Sequence, residues 1–289
     1  MFTIIVNTVA GHGKALKVAA RVEAWLKERG VEHAVKYTEY PGHAVELARA
    51  CGDRGDKRLF CVGGDGTVFE VANGLAESDT SLGVIPGGTG NDFARSLGLP
   101  KDPVAVMDAL LSAPARAVNM CKINDRVFLN VCGAGFDVEV VAACNRVKHL
   151  SRGMLPYLYG VLHTLFTYKP RHFTIELDGE ARQASLLLVA VANGQYFGGG
   201  MRVAPMARLD DNLLDVIMVQ PLSRPRILRL LPKLIDGSYI QLTDIVEHKR
   251  CQAVRIASPG MRMQMDGELG DVEDALLTIG NQRLMLLMP

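Results

Sequence analysis

Along the first third of the chain, short unbroken apolar runs alternate with stretches in which apolar residues recur every three or four positions. Thr3-Ile4-Ile5-Val6, Leu59-Phe60-Cys61-Val62 and residues 82–85 are continuous runs of strand length, suited to strands covered on both faces. Residues 33–37 read as a further strand. Between them, Ala15, Val18, Ala19, Val22 and Leu26 keep helical spacing, with Gly30 as the stop. Ala44, Val45, Leu47, Ala48 and Cys51 predict a second helix, and Val68, Val71, Ala72 and Leu75 a third. Two more are expected at 92–97 and 104–111. Strands alternating with helices predict a parallel sheet covered on both sides.

The pattern changes near Ala117, beyond which short strands and turn signals dominate. Val127, Leu129 and Val131 alternate as one strand; Phe173, Ile175 and Leu177 alternate as another, followed by the hairpin signal Asp178-Gly179. Residues 185–192, 215–219, 253–256 and 261–265 predict further strands. This half reads as an antiparallel β-rich sandwich. Two helices interrupt it, at 156–168 and 225–235.

Length and composition agree with a two-domain globular protein: 289 residues, 48% hydrophobic and 22% charged. The net charge of +1, without a block of like charges, argues against a nucleic-acid partner. The six cysteines form no C-x-x-C pair and have no histidine at zinc spacing, so they read as reduced thiols of a cytoplasmic protein. The N-terminal MFTIIVN reads as a strand rather than a signal peptide. The longest uncharged apolar stretch, 153–168, falls short of the ~20 residues a spanning helix needs.

Three glycine-rich segments each follow an expected strand and precede an expected helix, where open α/β sheets bind ligands and helix N-termini offer N–H groups to phosphate. The first, Asn7 to Lys14, has neither the Walker A spacing nor the dinucleotide fingerprint, and reads equally well as an ordinary turn. The second is Gly63-Gly64-Asp65-Gly66-Thr67, with Glu70 and Asn73 one turn apart beyond it. An acidic residue inside a phosphate loop points to Mg²⁺ or a held water near Asp65. The third runs from Pro86 through Gly87-Gly88-Thr89-Gly90-Asn91-Asp92 to Arg95, where Asn91 or Asp92 can cap the next helix.

GGDGT at 63–67 followed by GVIPGGTGNDFARSLGLP at 83–100 resembles the diacylglycerol kinase catalytic-domain family, which includes bacterial soluble lipid kinases and the sphingosine and ceramide kinases. NGQYFGGG at 193–200, Ala204-Pro205, ARLDD at 207–211 and Asp266-Gly267-Glu268 are similar to that family's second-domain signature, so the resemblance spans nearly the whole chain. It implies a nucleotide domain at 1–117 like that of phosphofructokinase and NAD kinase, and a β-sandwich lipid domain at 118–282. A final strand, 283–289, would return to the first domain.

The resemblance also implies roles. ATP would touch Asn7, Gly11, Gly13, Lys14, Thr38, Gly64, Asp65, Gly66, Thr67, Glu70 and Thr89, with Mg²⁺ bridging the terminal phosphates. Asp65 is assigned to catalysis, and Asn91, Asp92 and Arg95 to the acceptor side. Glu268 or Asp266 would take the acceptor's proton, with Glu268 preferred and some desolvation expected to raise its proton affinity. The tripeptide Asp178-Gly179-Glu180 is identical to 266–268, and by spacing alone both read as turns. A structural Mg²⁺ would take the Arg208 and Leu213 carbonyls and the Asp211 carboxylate. Two positions depart from the family pattern. Thr8 stands where a proline usually follows Asn7, and Asn119 stands for an aspartate, which removes a charge from that metal network.

The acceptor is expected in a cleft between the domains, with 198–201 lining it. The 156–168 helix, with Tyr157, Leu158, Val161, Leu162 and Leu165 on one face, reads first as core packing and second as a bilayer contact flanked by Arg146, Lys148, Arg152 and Lys169. The whole implies transfer of the ATP γ-phosphate to a membrane lipid, diacylglycerol first, by a cytoplasmic enzyme in peripheral contact with the membrane. Phosphatidylglycerol, a sphingoid base, an isoprenoid alcohol, an NAD-kinase-like soluble acceptor and a non-catalytic nucleotide or lipid sensor are the alternatives. A homodimer is compatible with the sequence.

Overall fold

The computed structural model describes residues 1–147 and 155–289; Lys148 and Arg152 lie outside the described residues, as does the side chain of Tyr157. The chain divides into two compact units, Met1–Met120 with Gly280–Pro289, and Cys121–Ile279.

The first unit alternates β1 (Phe2–Val6), α1 (Lys14–Glu28), β2 (His33–Tyr37), α2 (His43–Asp53), β3 (Arg58–Gly63), α3 (Asp65–Gly74), β4 (Ser81–Pro86), α4 (Asp92–Ser96) and α5 (Pro103–Ser112). The strands lie in the order β2-β1-β3-β4, all parallel. Ile4, Ile5, Val6, Phe60, Val62, Leu82 and Ile85 are all buried, because helices cover both faces of the sheet; hence the unbroken apolar runs. α1 buries the stripe Ala15, Val18, Ala19, Val22 and Leu26. α5 starts at Asp102, whose carboxylate accepts the Val104 and Ala105 N–H groups at 3.1 and 3.0 Å.

The second unit follows with β5 (Ala115–Ile123, beginning in the first unit), β6 (Arg126–Phe128), β7 (Val131–Gly135), α6 (Phe136–Val147), α7 (Leu155–Thr167), β8 (Arg171–Leu177), β9 (Glu180–Leu186), β10 (Leu188–Ala192), β11 (Leu214–Val219), α8 (Arg224–Asp236), β12 (Val246–Cys251), β13 (Ala253–Ala257), β14 (Arg262–Met265), β15 (Glu268–Asp271) and β16 (Asp274–Leu287). One sheet joins β9, β8, β13 and the first half of β16, with β5 and β6 beyond; the other runs β12-β11-β10-β7-β14-β15. Both are antiparallel here. Phe173, Ile175, Val254, Ile256 and Leu277 of the first meet Val189, Val191, Val216, Met218 and Met263 of the second in one core. The opposite face of the second sheet carries Ala190, Ala192, Ile217 and Val219, packed with Val140, Val161, Leu165 and Ile227 of α6, α7 and α8. The unit is therefore a sandwich with a helical layer on one sheet.

Four expectations change. The alternation Val127–Leu129–Val131 does not form one strand: β6 ends at Phe128 and β7 starts at Val131, because three consecutive N–H groups at 129–131 turn to the Asp266 carboxylate. The run 185–192 breaks at Leu187. There the chain passes from one sheet to the other, and Leu187 donates to the Val219 carbonyl at 2.8 Å and accepts from Phe136 at 3.0 Å. α6 was not expected: Phe136, Asp137, Val138, Val140, Ala142 and Ala143 are all buried, so the helix lacks the polar face that marks a surface helix. The closing strand is not a short piece but 14 residues long, and its end pairs in parallel with β4 at Leu286↔Leu82.

All six cysteines are free. No helix among the described residues is long and apolar enough to cross a membrane.

Leu286 is fully buried beside β4. Its replacement by alanine is expected to cost about 2–5 kcal/mol, read from the urea unfolding midpoint; a cost below about 1 kcal/mol would show that β16 contributes little to the first unit.

Candidate active site

The carboxyl ends of β1, β3 and β4 bring the three glycine-rich loops of the first unit into backbone contact. Gly87 and Gly88 both donate to the Gly63 carbonyl, at 2.7 and 3.1 Å. A Cβ on Gly11 would stand 2.5 Å from the Gly87 carbonyl oxygen, and one on Gly88 would stand closer still to the Gly64 Cα. Side chains cannot enter at that separation, and the fixed approach of main chain to main chain leaves peptide N–H groups to line the loop edges. Across the loops, Asn7 donates through Nδ2 to Thr67 Oγ1 at 2.8 Å and accepts the Val9 N–H at 3.1 Å. Thr8 reaches the Thr38 carbonyl at 3.3 Å, so the loop holds its place without the family's proline.

α1 and α3 begin at Gly13 and Gly64, and no side chain caps either one. The helix dipole favours negative charge at both starts; at α1 the Lys14 N–H is already bonded to the Ala10 and Gly11 carbonyls of the preceding turn. Lys14 is exposed at the first position of α1; Gly66 and Thr89 are exposed, Gly11, Gly13, Gly64 and Glu70 are half-buried, and Thr38 and Thr67 are buried.

Asp65 opens α3, and its Oδ1 accepts the Phe93 N–H at 2.9 Å. The acidic residue inside the glycine loop thus ties the second loop to α4. Asn91, in the left-handed region at φ 53°, accepts the Gly88 N–H at 2.8 Å and donates to its carbonyl at 3.0 Å. Asn91 therefore braces its own loop instead of capping α4. Asp92 is buried, with Arg95 Nε 3.9 Å from its Oδ1 and 3.3 Å from the Gly90 carbonyl.

In the second unit, Asp266 and Glu268 stand in different surroundings. Asp266-Gly267 forms a hairpin turn, with φ 49° and 92°, between β14 and β15. Asp178-Gly179 is built the same way, with φ 47° and 93°. Both aspartates turn back onto main chain: Asp178 accepts from Gln252 and Ala253, each at 2.9 Å. Asp266 accepts from Leu129 at 2.8 Å, Asn130 at 3.0 Å and Val131 at 2.9 Å. Glu268 stands exposed at the start of β15, so it lacks the burial expected of it. The motif at 193–200 is tied to the same corner: Asn193 Nδ2 donates to the Leu129 carbonyl at 2.7 Å, and Asn130 Nδ2 to the Tyr196 carbonyl at 2.5 Å. Asn130 is a residue that sequence reasoning passed over; Leu129–Val131 looked like plain alternation.

Asp137 was also missed, because it lies in the unexpected α6. It is buried, and neither carboxyl oxygen has a hydrogen-bond partner among the described residues. Burial pushes its pKa up to about 7, opposed by the nearby Val138 and Asp137 amides and by Gln264. Gly133 beside it has no room for a side chain, since a Cβ would run into Asp137 Oδ2.

The loop expected to hold structural Mg²⁺ is organised by ion pairs. Asp211 Oδ1 accepts the Leu213 N–H at 3.1 Å, and its Oδ2 pairs with Arg250. Arg208 Nε lies 3.4 Å from Asp210. Asn119 accepts a hydrogen bond from Arg283 within the first unit. α7 is two-faced: Val161, Thr164 and Leu165 are buried, while Leu158, Tyr159, Leu162 and Phe166 are exposed.

Residues 1–123 match the diacylglycerol kinase catalytic domain, and residues 130–287 match the YegS C-terminal NAD kinase beta sandwich-like domain. A curated relative from Mycobacterium tuberculosis (strain H37Rv), named diacylglycerol kinase, is 34% identical over 99% of this chain and 94% of its own. One from Bacillus subtilis (strain 168), with the same name, is 30% identical over 92% of this chain and 89% of its own. One from Chromohalobacter salexigens, named a probable lipid kinase, YegS-like, is 33% identical over 84% of this chain and 79% of its own. A crystal structure from Bacillus anthracis (strain Sterne), of a protein described there provisionally as a diacylglycerol kinase, superposes with a TM-score of 0.81 at 25% identity, covering 100% of this chain and 95% of that one.

The raised pKa of Asp137 has a thermodynamic signature. Between an unfolded value near 4 and a folded value of about 7, the native state holds the extra proton, so this group's contribution to stability falls as pH rises through that window. Asp137→Asn is expected to match the wild type at pH 4. It should gain on it progressively, on the order of 3–4 kcal/mol by pH 8. Urea unfolding of both proteins across that range checks this; a difference that stays flat with pH would show that the carboxyl ionises normally.

Proposed function

The chain belongs to the diacylglycerol kinase and YegS-like lipid kinase family, and from that premise we propose that it transfers the γ-phosphate of ATP to the free hydroxyl of diacylglycerol, giving phosphatidic acid and ADP. The observation that carries the reading is the glycine-on-glycine packing of the loops at Gly11, Gly64 and Gly87-Gly88 beside the uncapped starts of α1 and α3. Such an edge suits a chain of phosphates, which main-chain N–H groups can follow closely without side chains intervening. Lys14 adds a cation at the first position of α1.

Transfer requires the acceptor oxygen to attack the γ-phosphorus while ADP leaves, and the hydroxyl proton to be taken up. Glu268 is the proton acceptor in this reading. Asp266 has its carboxylate committed to three N–H groups, whereas Glu268 is exposed on the adjoining strand. Asp266 then acts by shaping the turn that carries Glu268. Mg²⁺ bound with the nucleotide would neutralise charge on the terminal phosphates. Asp65 fits a role beside it: one oxygen is held by Phe93 N–H, and the other makes no hydrogen bond among the described residues. The exposed apolar side chains of α7 support peripheral contact with a bilayer. Diacylglycerol is favoured over other lipids by the names of the Mycobacterium and Bacillus subtilis relatives.

Purified protein with labelled ATP, Mg²⁺ and mixed micelles of one lipid at a time tests the reading. Label is expected in phosphatidic acid, and Glu268→Gln is expected to lower kcat by about 10²-fold or more with an unchanged melting temperature. Asp266→Asn is expected to lose about 1–3 kcal/mol of stability, because an amide cannot accept all three N–H bonds. Label in phosphatidylglycerol, a sphingoid base or an isoprenoid alcohol instead would replace the acceptor, and transfer to NAD or a sugar alone would overturn the lipid reading.

A further inference from the structure

The second unit contains a feature that the family resemblance does not anticipate. Around the Arg208–Leu213 loop, the carboxylate assigned to a divalent cation already has both oxygens engaged. Oδ1 of Asp211 accepts the Leu213 N–H at 3.1 Å, and Oδ2 pairs with the guanidinium of Arg250. The register of β11 against β12 explains why Arg250 is there: Asp215 lies opposite Arg250, and Ile217 opposite His248. Arg250 Nε therefore also lies 3.6 Å from Asp215 Oδ1, and His248 Nε2 lies 2.6 Å from the same oxygen. The Asp215 side chain is fully buried and that of Asp211 is 17% exposed, while the guanidinium of Arg250 keeps contact with water at 39% exposed. One guanidinium spans two carboxylates.

We propose that Arg250 takes the place of the structural divalent cation in this chain, so that the second unit keeps its shape without metal. A guanidinium is always charged, and its planar fork suits two carboxylates held at fixed positions. Mg²⁺ asks for about six oxygens in near-octahedral order. Here it would meet a fixed positive charge at Asp211 Oδ2 and an oxygen, Oδ1, already taken by the Leu213 N–H. Mg²⁺ that arrives with a nucleotide is a separate matter and does not depend on this loop.

The test is calorimetric melting of the full, nucleotide-free chain in EDTA and in millimolar Mg²⁺, with bound Mn²⁺ counted by electron paramagnetic resonance. Wild type is expected to melt at the same temperature in both solutions and to take up no Mn²⁺ that Asp211→Asn removes. Arg250→Gln leaves Asp211 without its cation and Asp215 with His248 alone. It should melt about 5 °C lower in EDTA, recover most of that loss with Mg²⁺ or Mn²⁺, and bind one Mn²⁺. Arg250→Lys keeps the charge and should show a smaller loss with no response to metal; it decides the matter with the wild type if the glutamine variant does not fold. A wild-type melting temperature that rises with Mg²⁺ and loses the rise in Asp211→Asn would overturn the proposal. So would an Arg250→Gln protein indifferent to EDTA, or one that metal does not rescue.

Discussion

Main chain packed directly on main chain, at the carboxyl edge of a parallel sheet, is the constraint on which the first unit's candidate site rests. Gly11 against the Gly87 carbonyl, and Gly64 against Gly88, leave no volume for a methyl group. That closeness aligns the loops after β1, β3 and β4 and leaves the starts of α1 and α3 without side-chain caps. Isolated helices do better with a side-chain cap by roughly 1 kcal/mol; in the proposed reading the start of α3 is left open for a polyphosphate instead. The nearby α5, capped by Asp102, shows the ordinary solution at a helix start without such a role.

A second theme is the use of carboxylates to hold backbone. Asp65, Asp178 and Asp266 each accept main-chain N–H groups from a segment distant in sequence. Charged acceptors make stronger bonds than neutral ones, and a carboxylate so engaged has fewer lone pairs left for chemistry. This separates residues that sequence motifs lump together. Within Asp266-Gly267-Glu268 the first residue holds the corner and the last is exposed; in Asp178-Gly179-Glu180 the same device closes a hairpin between β8 and β9.

These distinctions explain what the sequence could and could not convey. The parallel sheet was legible because burial on both faces writes unbroken apolar runs at Ile4–Val6 and Leu59–Val62. The glycine loops were legible because only glycine tolerates such packing. The break between β6 and β7 was not, since its cause is an aspartate 137 residues away. α6 was hidden by its own burial, and Asp137 with it. The pairing of Asp211 with Arg250 depends on the β11–β12 register, which no local pattern encodes. Glu268 was expected to be partly desolvated and stands exposed; in the second unit, nothing in its strand covers it.

The closing strand carries a consequence for how this protein is made. β4 finds its outer neighbour in the last residues of β16, where Leu286 faces Leu82, yet some two hundred residues are translated in between. Until β16 has been made, the nascent first unit presents β4 as an open edge with apolar neighbours uncovered, the kind of surface that invites wrong pairing. Completion of the first sheet thus waits until the whole of the second unit has been made. A truncated product cannot close its first sheet, however much of the polypeptide it contains.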